Sequence, residues 1–115
     1  MAPRVRGYCG DSCNTFVLGE PTERFQYLYE TARKAIEHAG EILRPGITAG
    51  DFDSEVRGVV ERAGLRDSLH TGHGVGTSSH EWPRLVPNSP GRIPLDVATP
   101  TRFWRLQCGT DDGGG

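Results

Sequence analysis

Between Thr22 and Leu43, apolar side chains recur three and four residues apart: Phe25, Tyr29, Ala32, Ile36, Ala39 and Leu43. That spacing predicts an amphipathic helix with one stripe turned to a core. Glu23, Arg24, Glu30, Arg33, Lys34, Glu37 and Glu41 fall mostly on other, solvated faces, and His38 is expected to be exposed among them. Pro45-Gly46 ends the pattern. Thr48-Ala49-Gly50-Asp51 then reads as a capped helix start, because a threonine hydroxyl can accept an amide of the first turn. Phe52, Val56, Val59, Val60 and Ala63 form the inner face of this second helix, and Gly64 suits its C-terminal cap. Ahead of the helices, Val5 to Leu18 reads as two strands or one bent strand, with Tyr8, Thr15, Phe16, Val17 and Leu18 as strand formers. Gly7 and Gly10 predict a tight turn or bulge just before Asp11, and Gly19-Glu20-Pro21 stops the strand. No periodicity follows Pro87-Asn88-Ser89-Pro90, and no internal repeat is present.

Composition narrows this picture. A chain of 115 residues suits one small domain. Its apolar share of 35% is low and its glycine and proline content high, with the poverty concentrated after residue 84. The expected division is therefore a folded unit over residues 1–90 and an irregular tail, disordered or read out of frame, over 91–115. A net charge of −2 gives no support for a nucleic-acid or membrane-surface partner. There is no apolar run of membrane-spanning length and no signal-peptide core after Met-Ala-Pro-Arg-Val-Arg, so a soluble cytoplasmic protein is expected. Cys9, Cys13 and Cys108 cannot all pair within the chain; as thiols in a reducing compartment they read as small buried side chains.

The chemistry lies in Thr71-Gly72-His73-Gly74-Val75-Gly76-Thr77-Ser78-Ser79-His80-Glu81-Trp82-Pro83. Glycines beside a histidine let a ligand approach the backbone closely. Imidazole is both a common metal ligand and the usual acid–base group near neutral pH. Two histidines seven residues apart, broken by glycines, fit two extended segments meeting over a site, one imidazole binding metal and the other polarising a substrate. His70 precedes this run and could face a substrate or support a ligand. Asp11, set in an apolar strand pattern, must be solvated, paired or metal-bound; taken alone it reads as a turn or capping residue.

Gly72-His73-Gly74-Val75-Gly76 followed by His80-Glu81-Trp82-Pro83 resembles the histidine signature of the pita-bread metallopeptidases, which include methionine aminopeptidases, Xaa-Pro aminopeptidases, prolidases and creatinases. Gly7-Tyr8-Cys9-Gly10-Asp11-Ser12-Cys13-Asn14-Thr15-Phe16-Val17-Leu18-Gly19 resembles the family's strand pair around its second metal-binding Asp, and Arg44-Pro45-Gly46 also matches. The likeness runs over residues 4–90 in order. Thr71 and the Thr-Ser-Ser-His-Glu-Trp-Pro-Arg run lie nearer the Xaa-Pro peptidases than the methionine aminopeptidases. The resemblance implies an incomplete α+β pita-bread (creatinase/aminopeptidase-like) fold, with antiparallel strands packed under two amphipathic helices. It also implies a dinuclear site of two Asp, one His and two Glu, a donor set that suits Mn²⁺, Co²⁺, Zn²⁺ or Fe²⁺. By this likeness Asp11 and His73 are metal ligands, His80 is the catalytic histidine that contacts substrate and intermediate, and a peptide is the substrate.

The departures bear on activity. The family's first metal Asp falls one position before Met1, and residues 84–115 contain no Glu to serve as the remaining ligands. Asn14 and Cys13 also depart from common family residues. The expectation is thus a chain truncated at both ends, related to a metal-dependent Xaa-Pro aminopeptidase and inactive alone, with metal occupancy in doubt and apolar surface exposed for self-association. A non-catalytic interaction module is the alternative, although such a module has no use for His73 and His80. A small mononuclear metal protein built on Asp11, His73 and His80 ranks after it.

Overall fold

The computed structural model describes residues 3–66 and 70–91 together with the backbone of a strand at 104–106. Two short strands, β1 (Arg4–Val5) and β2 (Tyr8–Cys9), pair antiparallel with Arg4 opposite Cys9 and Val5 opposite Tyr8. Their two-residue turn places Arg6 at φ 50° and Gly7 at φ 86°. Two successive left-handed residues match the twist of paired strands, and glycine takes that conformation freely. The strand expected through Leu18 does not form: residues 10–20 carry no strand, and Phe16 and Leu18 are 86% and 101% exposed. Strand-forming side chains need a neighbouring strand to pack against, and none lies beside this stretch among the described residues.

Helix α1 (Glu23–Ile42) begins where Thr22 Oγ1 accepts the Phe25 amide at 3.2 Å. Helix α2 (Ala49–Arg62) begins in the same way, with Thr48 Oγ1 accepting the Asp51 amide at 3.0 Å. Its end closes as a Schellman motif: Leu65 N–H donates to Val60 O at 3.2 Å and Gly64 N–H to Glu61 O at 2.9 Å, with Gly64 at φ 75°. Both helices stand where the apolar spacing put them.

The buried face of α1 includes Ala39 and Leu43 of the expected stripe but departs from the rest of it. Thr31, Ala35 and Ala39 are buried, whereas Tyr29 and Ile36 are about half exposed. The helix carries two apolar lines, and α2 packs on the one made of small residues. Alanine lets two helix backbones approach closely, and the Thr31 hydroxyl is satisfied by donating to Tyr27 O at 2.8 Å. The larger line is left open, so that Phe25 and Tyr29, stacked at 6.4 Å, line a groove of about 450 Å³ with Thr15, Val17 and Pro21. His38 is half-buried rather than exposed, its Nε2 3.5 Å from Glu55 on α2.

The core is Ala35 and Ala39 of α1, Ala49, Phe52, Val56 and Val60 of α2, and Leu85. Leu85 ends strand β4 (Glu81–Leu85), which pairs antiparallel with β3 (Gly72–Gly74); β5 (Trp104–Leu106) pairs on the other side of β3. The sheet order is β4-β3-β5, so β3 is central. Pairing runs Gly72 to Leu85 and His73 to Arg84, then jumps to Gly74 opposite Glu81. Trp82 and Pro83 occupy that break, where proline's missing N–H costs no ladder bond. Within 91–115, expected to be irregular, the stretch Trp104–Leu106 is a strand; most of that segment, Cys108 included, lies outside the described residues. No helix among the described residues is long and apolar enough to cross a membrane.

Candidate metal and substrate site

Three pieces of chain converge on His73. It is the middle residue of the central strand and 1% exposed. Its Nδ1 lies 2.9 Å from Gly74 O. A carbonyl only accepts, so Nδ1 carries the hydrogen, which leaves the lone pair on Nε2 in the neutral ring. That Nε2 is buried, makes no hydrogen bond, and faces Asp11 Oδ2 at 3.4 Å.

Asp11 follows the β1–β2 hairpin directly. Gly10 N–H donates to Pro3 O at 2.7 Å and Cys9 N–H to Gly76 O at 2.6 Å, which hold the hairpin's end against the glycine loop. The side chain of Asp11 is 4% exposed, so the expectation of a mere turn residue gives way to a buried carboxylate aimed at an imidazole. The Cys9 thiol donates to Thr77 O at 3.5 Å in the same seam, while the Cys13 thiol is exposed, contrary to its expected burial.

His80 stacks on His73 with ring centroids 4.1 Å apart and planes 24° from parallel. The His70 ring lies 5.8 Å from that of His73 and is tilted by 58°. All four residues singled out in the sequence are therefore together. Atoms of Asp11, His73 and His80 lie within 4.8 Å of one another. The stack nonetheless aims the two imidazoles differently. Nearly parallel rings direct their lone pairs in parallel planes, so one ion cannot lie in line with both. His80, exposed and with Nδ1 3.2 Å from Ser79 Oγ, covers the face of His73.

The Asp11–His73 pair fits a divalent cation. Donor atoms about 3.4 Å apart are what a tetrahedral ion with bonds of about 2.1 Å requires, and a carboxylate with one imidazole is a donor set for such ions.

Glu81 holds the loop that carries His80. It accepts the Ser78 amide at 2.7 Å and the Thr77 hydroxyl at 3.0 Å. These two bonds, the Ser78 amide first, hold its carboxyl below the usual glutamate range. Asp53, which the apolar pattern passed over, is fully buried on α2. It takes Arg57 Nε at 3.0 Å and Nη2 at 2.9 Å, and the Thr71 hydroxyl at 2.8 Å. The available signal was an Asp–Arg pair four residues apart beside inner-face Phe52 and Val56.

The chain is similar to known proteins. The model of metallopeptidase family M24 matches residues 1–100. The chain is 38% identical over 82 residues to the Xaa-Pro dipeptidase of Lactobacillus helveticus, covering 70% of this chain and 22% of that protein. It is 40% identical over 80 residues to the Xaa-Pro dipeptidase of Pyrococcus furiosus, covering 68% and 23%. The crystal structure of a dipeptidase from Pyrococcus horikoshii superposes with a TM-score of 0.76 at 38% identity, over 80% of this chain and 26% of that one. The chain thus spans under a quarter of the length of the curated relatives it matches. Over that span the α+β pita-bread arrangement is the one observed. On these grounds the chain is a member of metallopeptidase family M24.

Proposed function

We propose that this chain carries one side of a metal-dependent Xaa-Pro dipeptidase site, acting on short peptides in the cytoplasm. Asp11 and His73 hold a divalent ion, and His80 and His70 meet the substrate. The observation that carries the reading is the buried Nε2 of His73 facing the Asp11 carboxylate at 3.4 Å. The names of the matching proteins favour a dipeptidase over the aminopeptidase expected from the sequence. Bound there, the ion supplies Lewis acidity toward a peptide carbonyl. His80 lies open to solvent beside it, placed to hydrogen-bond a substrate and to serve as a general acid–base group. With one carboxylate and one imidazole facing it among the described residues, an ion held here would keep mostly water ligands, and on this reading the 115-residue protein alone is inactive.

Calorimetric titration of the purified protein with Co²⁺ tests the site, and an Xaa-Pro dipeptide assay tests the activity. Saturable binding abolished by His73→Ala and by Asp11→Asn is expected, with no turnover above the metal blank. Absence of binding, or binding indifferent to His73→Ala, overturns the site assignment; clear metal-dependent turnover overturns the claim of inactivity.

A second reading, a non-catalytic interaction module, draws on the exposed Phe16, Val17 and Leu18 beside the open Phe25–Tyr29 groove. Self-association through that surface belongs to the same reading. Capture of a partner, or of a second copy, with affinity unchanged by chelator and by His73→Ala would favour it.

A further inference from the structure

Asp53 poses a question the metal site does not answer. A carboxylate at 0% exposure is expensive to keep, and an apolar replacement of a buried ion pair is often no less stable. Its hydrogen bonds show what it is attached to. Arg57, four residues on, neutralises it from the same helix with Nε on Oδ2 at 3.0 Å and Nη2 on Oδ1 at 2.9 Å. The remaining bond leaves the helix: Thr71 Oγ1 donates to Oδ1 at 2.8 Å. A threonine has one hydroxyl proton, and Leu85 O at 3.4 Å is the poorer acceptor for it.

Thr71 sits two residues before His73, immediately ahead of β3, with its own amide donating to Leu85 O at 3.0 Å where β3 meets β4. Gly72 and Gly74 flank His73 and bring no side chain to hold it. Thr71 is thus the nearest side-chain anchor on the N-terminal side of the imidazole, and Asp53 is what it is anchored to. Resting on the metal reading above, we infer that Asp53 and Thr71 are positioning residues. Their hydrogen bond ties β3 to α2 and sets His73 at its distance from Asp11. The helix pair, which supplies the apolar core among the described residues apart from Leu85, thereby fixes the reach of a ligand carried on a glycine-flanked strand. Neither residue touches the ion or the substrate.

Thr71→Val keeps the shape and removes only the hydroxyl, leaving the Asp53–Arg57 pair in place, and Thr71→Ser restores the donor. Two readouts on the 115-residue protein separate positioning from general stability. One is the NMR resonance of His73 Hε1, which senses the stacked His80 ring, with His38 as internal reference. The other is Co²⁺ affinity by calorimetry. In Thr71→Val the His73 resonance is expected to move while that of His38 stays, and the Co²⁺ dissociation constant to rise about tenfold, the low end for an outer partner of a ligand. Thr71→Ser is expected to return both to within twofold of the parent. A Thr71→Val protein with the parent's resonance and affinity overturns the proposal, as does a Thr71→Ser protein that behaves like Thr71→Val. If the parent protein binds no Co²⁺, the metal reading fails, and the resonance of His73 decides the positioning role by itself.

Discussion

Gly74→Ala tests whether backbone contact sets the geometry around His73. Gly74 has no left-handed backbone to protect, so the substitution acts through space alone. A β-carbon there would lie 2.6 Å from Trp82 O, 3.1 Å from Trp82 C and 3.2 Å from Glu81 O. Ordinary contact begins at 3.4 Å, so the two strands must part by 0.8 Å (3.4 minus 2.6) at the closest point. All three obstructing atoms are main chain of β4, and no rotamer change removes them. Overpacking of this kind costs about 1–3 kcal/mol. The cost falls on the register break that carries Trp82-Pro83, and the Gly74 carbonyl that takes the His73 Nδ1 proton moves with it. Urea unfolding should show a lower midpoint at unchanged slope, and the His73 ring resonances should shift. Gly76→Ala provides the contrast. Its nearest obstacle, at 2.6 Å, is the Glu81 carboxylate, the far end of a flexible side chain, so a smaller loss is expected. A Gly74→Ala protein with the parent's midpoint and an unmoved His73 resonance would refute the reasoning.

The other predictions concern the core and the loop. Phe52 is the largest fully buried side chain among the described residues; Phe52→Ala should cost about 3–5 kcal/mol and leave the protein largely unfolded in the absence of ligand, as read by far-UV circular dichroism against urea. Glu81 should make the 77–81 loop sensitive to acid: its folded-state pKa is depressed by the Ser78 amide and the Thr77 hydroxyl, so its contribution is complete above the ordinary glutamate value and is lost as pH falls through the lower folded value. The Ser78 amide resonance should follow that titration and stop following it in Glu81→Gln; an amide that titrates at or above the ordinary glutamate value contradicts the assignment.

The helices were legible because both signals that define them are local. Thr22 and Thr48 cap them, Gly64 closes the second, and the spacing of Phe52, Val56 and Val60 names the face of α2. The face of α1 was legible only in part, because its sequence carries two apolar lines and which one α2 covers depends on backbone approach. Ala39 and Leu43 of the expected stripe do meet the core, but Thr31 and Ala35 continue the contact in place of Tyr29 and Ile36. The strand through Leu18 failed for a related reason: composition marks residues able to pair but not the presence of a partner. At the site, His70, His73 and His80 were visible as a sequence cluster, and Asp11 as a family likeness. Asp53 stayed hidden because a single acidic residue on an apolar helix face declares itself only when Thr71, 18 positions away, is seen to meet it.

The two ligand candidates are held with unequal firmness, and this has a thermodynamic consequence. His73 belongs to a strand paired on both sides and tied through Thr71 to a buried carboxylate on α2. Asp11 belongs to a hairpin whose Val5 and Tyr8 are 69% and 65% exposed, joined to the glycine loop through the Cys9 amide and thiol. Segments with little buried apolar surface open at a lower free energy than the core, so Asp11 can leave His73 without the helices unfolding. An ion that binds only when the two face each other favours the closed arrangement by RT ln(1 + [L]/Kd), about 2.7 kcal/mol at a hundredfold excess over Kd. That stabilisation falls first on the hairpin, since α1 and α2 are already closed. On the proposed reading, an ion would therefore act on this chain less as a reinforcement of its core than as the clasp that brings Asp11 to a histidine already in position.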